Sequence, residues 1–126
     1  MFKSIEITVY SKTLSTTPKQ AVIELCKGTL RQIVLRPAFG PNWEVYARVK
    51  YREYLLWPND ESEWVPLERY PVEILPNWSN WDGTYDITIE LCSPQARFNH
   101  NVVVDIDVDE QPSFLTLFKD FIAKGF

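Results

Sequence analysis

The sequence predicts an α+β domain. A mainly antiparallel, curved sheet of about five to six strands would carry one helix after the first strand and one amphipathic helix at the C-terminal end. Three observations point there. Several segments alternate apolar and polar residues with the period of two that a half-buried strand requires. Thr17-Pro18-Lys19-Gln20 has the composition of a helix start. From Pro112 onwards apolar residues recur at spacings of three and four, as on one helical face.

Ile5, Ile7 and Val9 alternate with Ser4, Glu6, Thr8 and Tyr10, predicting a strand over 3–11 with one wet face. Thr17 can cap free amides, Pro18 suits the first helical position and Gln20 completes a capping box, so a helix is predicted over 18–27. Ala21, Val22, Leu25 and Cys26 would share its buried side and Gly28 would end it. Residues 29–39 fit two periods. Leu30, Ile33 and Val34 suit a helix, whereas the β-branched pair and Pro37 favour a strand, which is the reading preferred. After the turn Gly40-Pro41-Asn42, Val45, Ala47, Val49 and Tyr51 alternate with Glu44, Tyr46, Arg48, Lys50 and Arg52. This predicts a strand over 44–52 in a hairpin with 29–39.

Pro58-Asn59-Asp60 marks a turn, and Pro66 and Pro71 confine any strand near them to a sheet edge, including a short one over 72–74. Asp82-Gly83 is the next turn. Tyr85, Ile87, Ile89 and Leu91 alternate within 84–92, and 102–109 places Val102, Val104, Ile106 and Val108 on one side and Asp105, Asp107 and Asp109 on the other. These two strands are expected to pair, with the acidic ladder along an edge where like charges discourage stray pairing. In the final helix, 112–124, Phe114, Leu117, Phe118, Phe121 and Ile122 would cover one side, and Gly125 would end it.

With 126 residues, 45% hydrophobic and 14% aromatic, residues 1–126 read as a single globular domain. The start lacks the apolar core of a secretory signal and no run reaches membrane-spanning length, so a cytoplasmic protein without a membrane partner is expected. Cys26 and Cys92 suit a reducing compartment as free thiols at least as well as one bridge. The net charge of −4 divides into +5 over residues 1–56 and −9 over 57–126. Such a split marks complementary surfaces or, alternatively, halves that interleave in the fold.

Four of the five tryptophans, Trp57, Trp64, Trp78 and Trp81, fall between Trp57 and Gly83, with four prolines, six carboxylates and Arg69 as the lone base. Tryptophan in a proline-stiffened segment offers a rigid anchor at low entropic cost. The leading expectation is therefore a non-catalytic protein-interaction domain: an inhibitor, adaptor, immunity-like partner or assembly subunit. Its contact residues would be Trp64, Trp78, Trp81 and Asp82, aided by Asp105, Asp107 and Asp109, and its partner another protein or further copies of itself. Trp43 and Trp57 flank the best strand and are expected in the core.

Other chemistries are weaker. Tyr46, Arg48, Lys50 and Arg52 form an aromatic-basic row that could hold a phosphate backbone, with Arg31 and Arg36 possible on the hairpin partner, although a pI near 5.0 opposes nucleic acid. Trp78 and Trp81 beside Asn77, Asn80 and Asp82 could stack a sugar in a carbohydrate-binding module. A hairpin of 84–92 with 102–109 would bring Cys92 and His100 to one end, as a Cys-His hydrolase needs, but no oxyanion-hole glycines flank Cys92. Asp105, Asp107 and Asp109 mimic the opening of a calcium loop, yet Glu110 stands where glycine is needed and Thr116 where a bidentate carboxylate is needed. No phosphate-cradling glycine loop or zinc spacing occurs, and no metal or cofactor is expected.

Overall fold

Ten strands and no helix organise the residues described by the computed structural model, which are 1–37, 44–52, 54–58, 64–67, 70–76, 78–81 and 83–110. In chain order they are β1 (Phe2–Val9), β2 (Lys19–Leu25), β3 (Gly28–Pro37), β4 (Tyr46–Tyr51), β5 (Tyr54–Trp57), β6 (Val65–Pro66), β7 (Val72–Ile74), β8 (Trp78–Asn80), β9 (Tyr85–Cys92) and β10 (His100–Asp109). They form two antiparallel five-stranded sheets. The first has the order β1-β10-β3-β7, with β8 also on β3. The second has the order β2-β9-β4-β5, with β6 also on β4.

Both sheets send their inward residues into one core, so the architecture is a β-sandwich. Ile7, Leu35, Val104 and Ile106 of the first sheet meet Ile23, Val49, Ile87 and Ile89 of the second. Each such side chain, once removed from water, contributes about 1.5–3 kcal/mol to folding.

The α+β expectation is thus corrected to all-β among the described residues. The helix predicted over 18–27 is strand β2, because the decisive set is Ile23 and Leu25, buried at a spacing of two, with Val22 and Glu24 exposed in alternation with them. β-branched Val22 and Ile23 fit that pleated surface better than a helical turn. The helix predicted over 112–124 lies outside the described residues, as do the turn at 40–42, Trp43, Asn77 and Asp82.

The strand preferred for 29–39 is present as β3. Its helix-like spacing has a specific cause. Between the pairs Asp107–Gln32 and Val108–Leu30 the register shifts, leaving Arg31 as an extra residue in β3. That bulge turns Leu30 and Ile33, three apart, to the same buried face.

Neither predicted hairpin forms. β3 is flanked by β10 on one side and by β7 and β8 on the other, which leaves β4 no edge to join and sends it into the opposite sheet. In the same way β9 is central in the second sheet, between β2 and β4, and β10 is central in the first, between β1 and β3. The acidic ladder therefore stands on an interior strand. It is tolerated there because Arg36 approaches Asp105 at 2.6 Å, Arg31 approaches Asp109 at 2.8 Å and the Ser4 hydroxyl donates to Asp105 at 2.6 Å. The prolines behave as expected, since Pro66 lies in edge strand β6 and Pro71 just ahead of edge strand β7.

Candidate interaction site

The outward face of the second sheet carries a buried charge. Glu90, only 3% exposed, lies opposite Gln20 of β2 and Arg48 of β4 in the strand register. Gln20 Nε2 donates to Oε2 at 2.8 Å, Arg48 Nε donates to Oε1 at 2.7 Å, and Lys50 Nζ stands 3.1 Å from Oε1. Burial alone would push this carboxyl up. The hydrogen bonds from Gln20, Arg48 and Lys50, with the Arg48 charge, outweigh it and hold Glu90 below the ordinary carboxylate range.

Arg48 is also fixed from above. The ring of Trp64, just ahead of β6, lies over its guanidinium with 4.1 Å to the ring centroid. Beside this stack opens a recess of about 220 Å³ lined by Ser15, Tyr46, Trp64, Cys92 and Pro94. Its surface is almost wholly apolar. Tyr46 and Cys92 face each other across β4 and β9, while Ser15 and Pro94 descend from the two loops above the sheet.

Of the residues proposed for contact, Trp64 belongs to this site. Trp78 instead tilts against Tyr51 at 4.4 Å and meets Tyr85 edge-on at 5.0 Å, so it joins the two sheets at the opposite end of the sandwich. Trp81, three residues on, is 42% exposed. Asp105 and Asp109 are engaged by arginines, and Asp107 is exposed on the outer side of the first sheet. Trp57 ends β5 and packs partly on the core.

The aromatic-basic row splits in two. Tyr46, Arg48 and Lys50 share the outer face, with both cations on Glu90, whereas Arg52 lies in the β4–β5 turn at φ 54 and over the ring of its neighbour Tyr51. Arg31 and Arg36 belong to the other sheet.

Cys92 and His100 are held by different surroundings. Burial pushes the Cys92 thiol up to about 11, the opposite of the activation a nucleophile requires. His100 Nε2 lies 3.2 Å from Glu44 Oε2, ahead of β4. Both cysteines are free thiols. Among the described residues no group of three metal-binding side chains comes together, and no helix is long and apolar enough to cross a membrane.

The sequence placed Glu90 on a wet face, and only its neighbours in register reveal the hub. Gln20 was read as part of a helix cap, which hid its position opposite Glu90. No protein-family model and no curated protein matches the sequence.

Proposed function

We propose that this chain is a cytoplasmic, non-catalytic protein-interaction domain whose contact site is the recess walled by Trp64 and Tyr46. The observation that carries the reading is an apolar recess whose main wall, the Trp64 ring, is clamped on Arg48 above the buried Glu90 carboxylate. A ring held in advance loses little freedom when a partner's apolar side chain enters, which is the property of an energetic hot spot. The titratable groups around it favour contact over catalysis, since Cys92 is kept as a thiol and Glu90 is engaged by three donors. Roles as inhibitor, adaptor, immunity-like partner or assembly subunit all suit such a site, and exposed Trp81 is a second contact candidate.

Photo-crosslinking in the native host tests this. A benzoylphenylalanine at Ser15, on the recess rim, should yield a discrete protein adduct that the same group at Thr84, exposed at the other end, does not. Absence of a discrete adduct from position 15, or the same adducts from both positions, would sink the reading.

A further inference from the structure

The loops above the recess form a second surface of a different character. They are residues 10–18, between β1 and β2, and 93–99, between β9 and β10. Three large apolar side chains stand out from them: Tyr10 at 61% exposure, Leu14 at 54% and Phe98 at 73%. Such exposure is not a sign of loose loops. The Ser93 amide donates to Thr13 O at 2.9 Å, the Ser93 hydroxyl to Tyr10 O at 2.8 Å, and the Ser11 amide to Asn99 Oδ1 at 2.9 Å, tying the two loops together. Thr13 Oγ1 also donates to Tyr10 O at 2.6 Å, and Lys12 makes the turn between them at φ 59.

Charge sets this end apart from the rest of an acidic protein. Residues 10–19 and 93–99 contain Lys12, Lys19 and Arg97 and no carboxylate. Elsewhere the arginines Arg31, Arg36 and Arg48 are matched by acids, but these three cations make no ion pair among the described residues. Glu44, just ahead of β4, faces His100. Lys12 sits between Tyr10 and Leu14, and Arg97 directly precedes Phe98, so cation and apolar tip alternate along both loops.

We propose that this loop end is a peripheral binding surface for anionic phospholipid, with Tyr10, Leu14 and Phe98 entering the headgroup–acyl boundary and Lys12, Lys19 and Arg97 meeting the phosphates. Aromatic and aliphatic side chains interleaved with cations are the composition that lies in a bilayer interface, and anionic lipid is the charge they need. The cytoplasmic leaflet supplies it. A bilayer needs no shape to match, which suits separate projecting tips. The recess beneath is lined by Ser15 and Pro94 rather than by these tips, so it remains open to a protein partner. The expectation of no membrane partner rested on the lack of a spanning run, which interfacial contact does not require. The proposal is independent of the recess reading, and either can fail alone.

Co-sedimentation with phosphatidylcholine vesicles, with and without phosphatidylserine, decides it. The full chain should pellet at low salt with phosphatidylserine vesicles only and be released as salt screens the attraction. The double variant Lys12→Gln/Arg97→Gln should bind at least about tenfold more weakly. Tyr10→Ser/Phe98→Ser should also lose binding while keeping the wild-type circular dichroism, since both side chains are exposed. Failure of the wild type to pellet, or equal binding by all variants, would overturn the proposal. So would retention on a random glutamate–tyrosine copolymer without vesicle binding, which would assign this end to an acidic protein.

Discussion

Glu90 shows how one side chain organises a face. Its two oxygens accept from three residues on two neighbouring strands, and Arg48, so oriented, supports Trp64. Replacing it by glutamine keeps the shape and removes the charge that Arg48 and Lys50 share among the described residues. Glu90→Gln should cost about 1–3 kcal/mol near neutral pH. Because folding holds the Glu90 carboxyl below its ordinary value of 4.5, the unfolded chain binds that proton more readily. The stabilisation is therefore complete above that value and is lost as pH falls through the lower folded value. Urea unfolding at a series of pH values should show the gap between wild type and variant closing in acid. A gap that stays constant would mean that the charge does not hold the site together. None of this was readable from strand 84–92 by itself, since period two marks Glu90 only as outward-facing. The partners that hold it come from β2 and β4.

At the scale of elements, alternation was a reliable guide where it stood alone. The strands expected over 3–11, 44–52, 72–74, 84–92 and 102–109 all occur, with ends moved by a residue or two. It failed where a second pattern competed. In β2 a capping signature at Thr17–Gln20 and a possible stop at Gly28 framed a helix, although burial follows Ile23 and Leu25. Gly28 has another task. At φ +150 it opens β3 so tightly against the end of β10 that a Cβ there would come within 2.5 Å of the Asp109 carbonyl oxygen. Gly83, at φ +141, has nothing within 4 Å of the same added atom. Both conformations disfavour a side chain, but only Gly28 adds a collision with backbone. Gly28→Ala should lose at least about 2 kcal/mol, and Gly83→Ala clearly less. Equal midpoints in denaturant for the two variants would show that the β3–β10 approach is not the constraint.

For the whole molecule, the charge asymmetry along the chain resolves by interleaving: Arg31, Arg36, Arg48 and Lys50 from the first half each meet an acid from the second. The sequence admitted this outcome but could not select it, because a strand with one apolar side reads the same in either sheet of a sandwich. The assumption that neighbouring strands pair then produced both wrong hairpins. Instead β1 pairs along its length with β10, β2 with β9 and β3 with β10, so the sheets are assembled mainly from segments far apart in sequence. Among the pairings described, β4 with β5 is the local exception. Closing such long loops precedes the contacts that reward them, and domains of this kind fold in milliseconds to seconds rather than microseconds. Trp78 is a suitable reporter, since it packs against Tyr51 and Tyr85 only when the two sheets have met. Stopped-flow refolding followed by tryptophan fluorescence, with Trp78→Phe as the control that removes the signal from this cluster, should therefore resolve a Trp78-dependent phase slower than about a millisecond. Completion of that phase within the mixing time would contradict a fold built on long-range pairing.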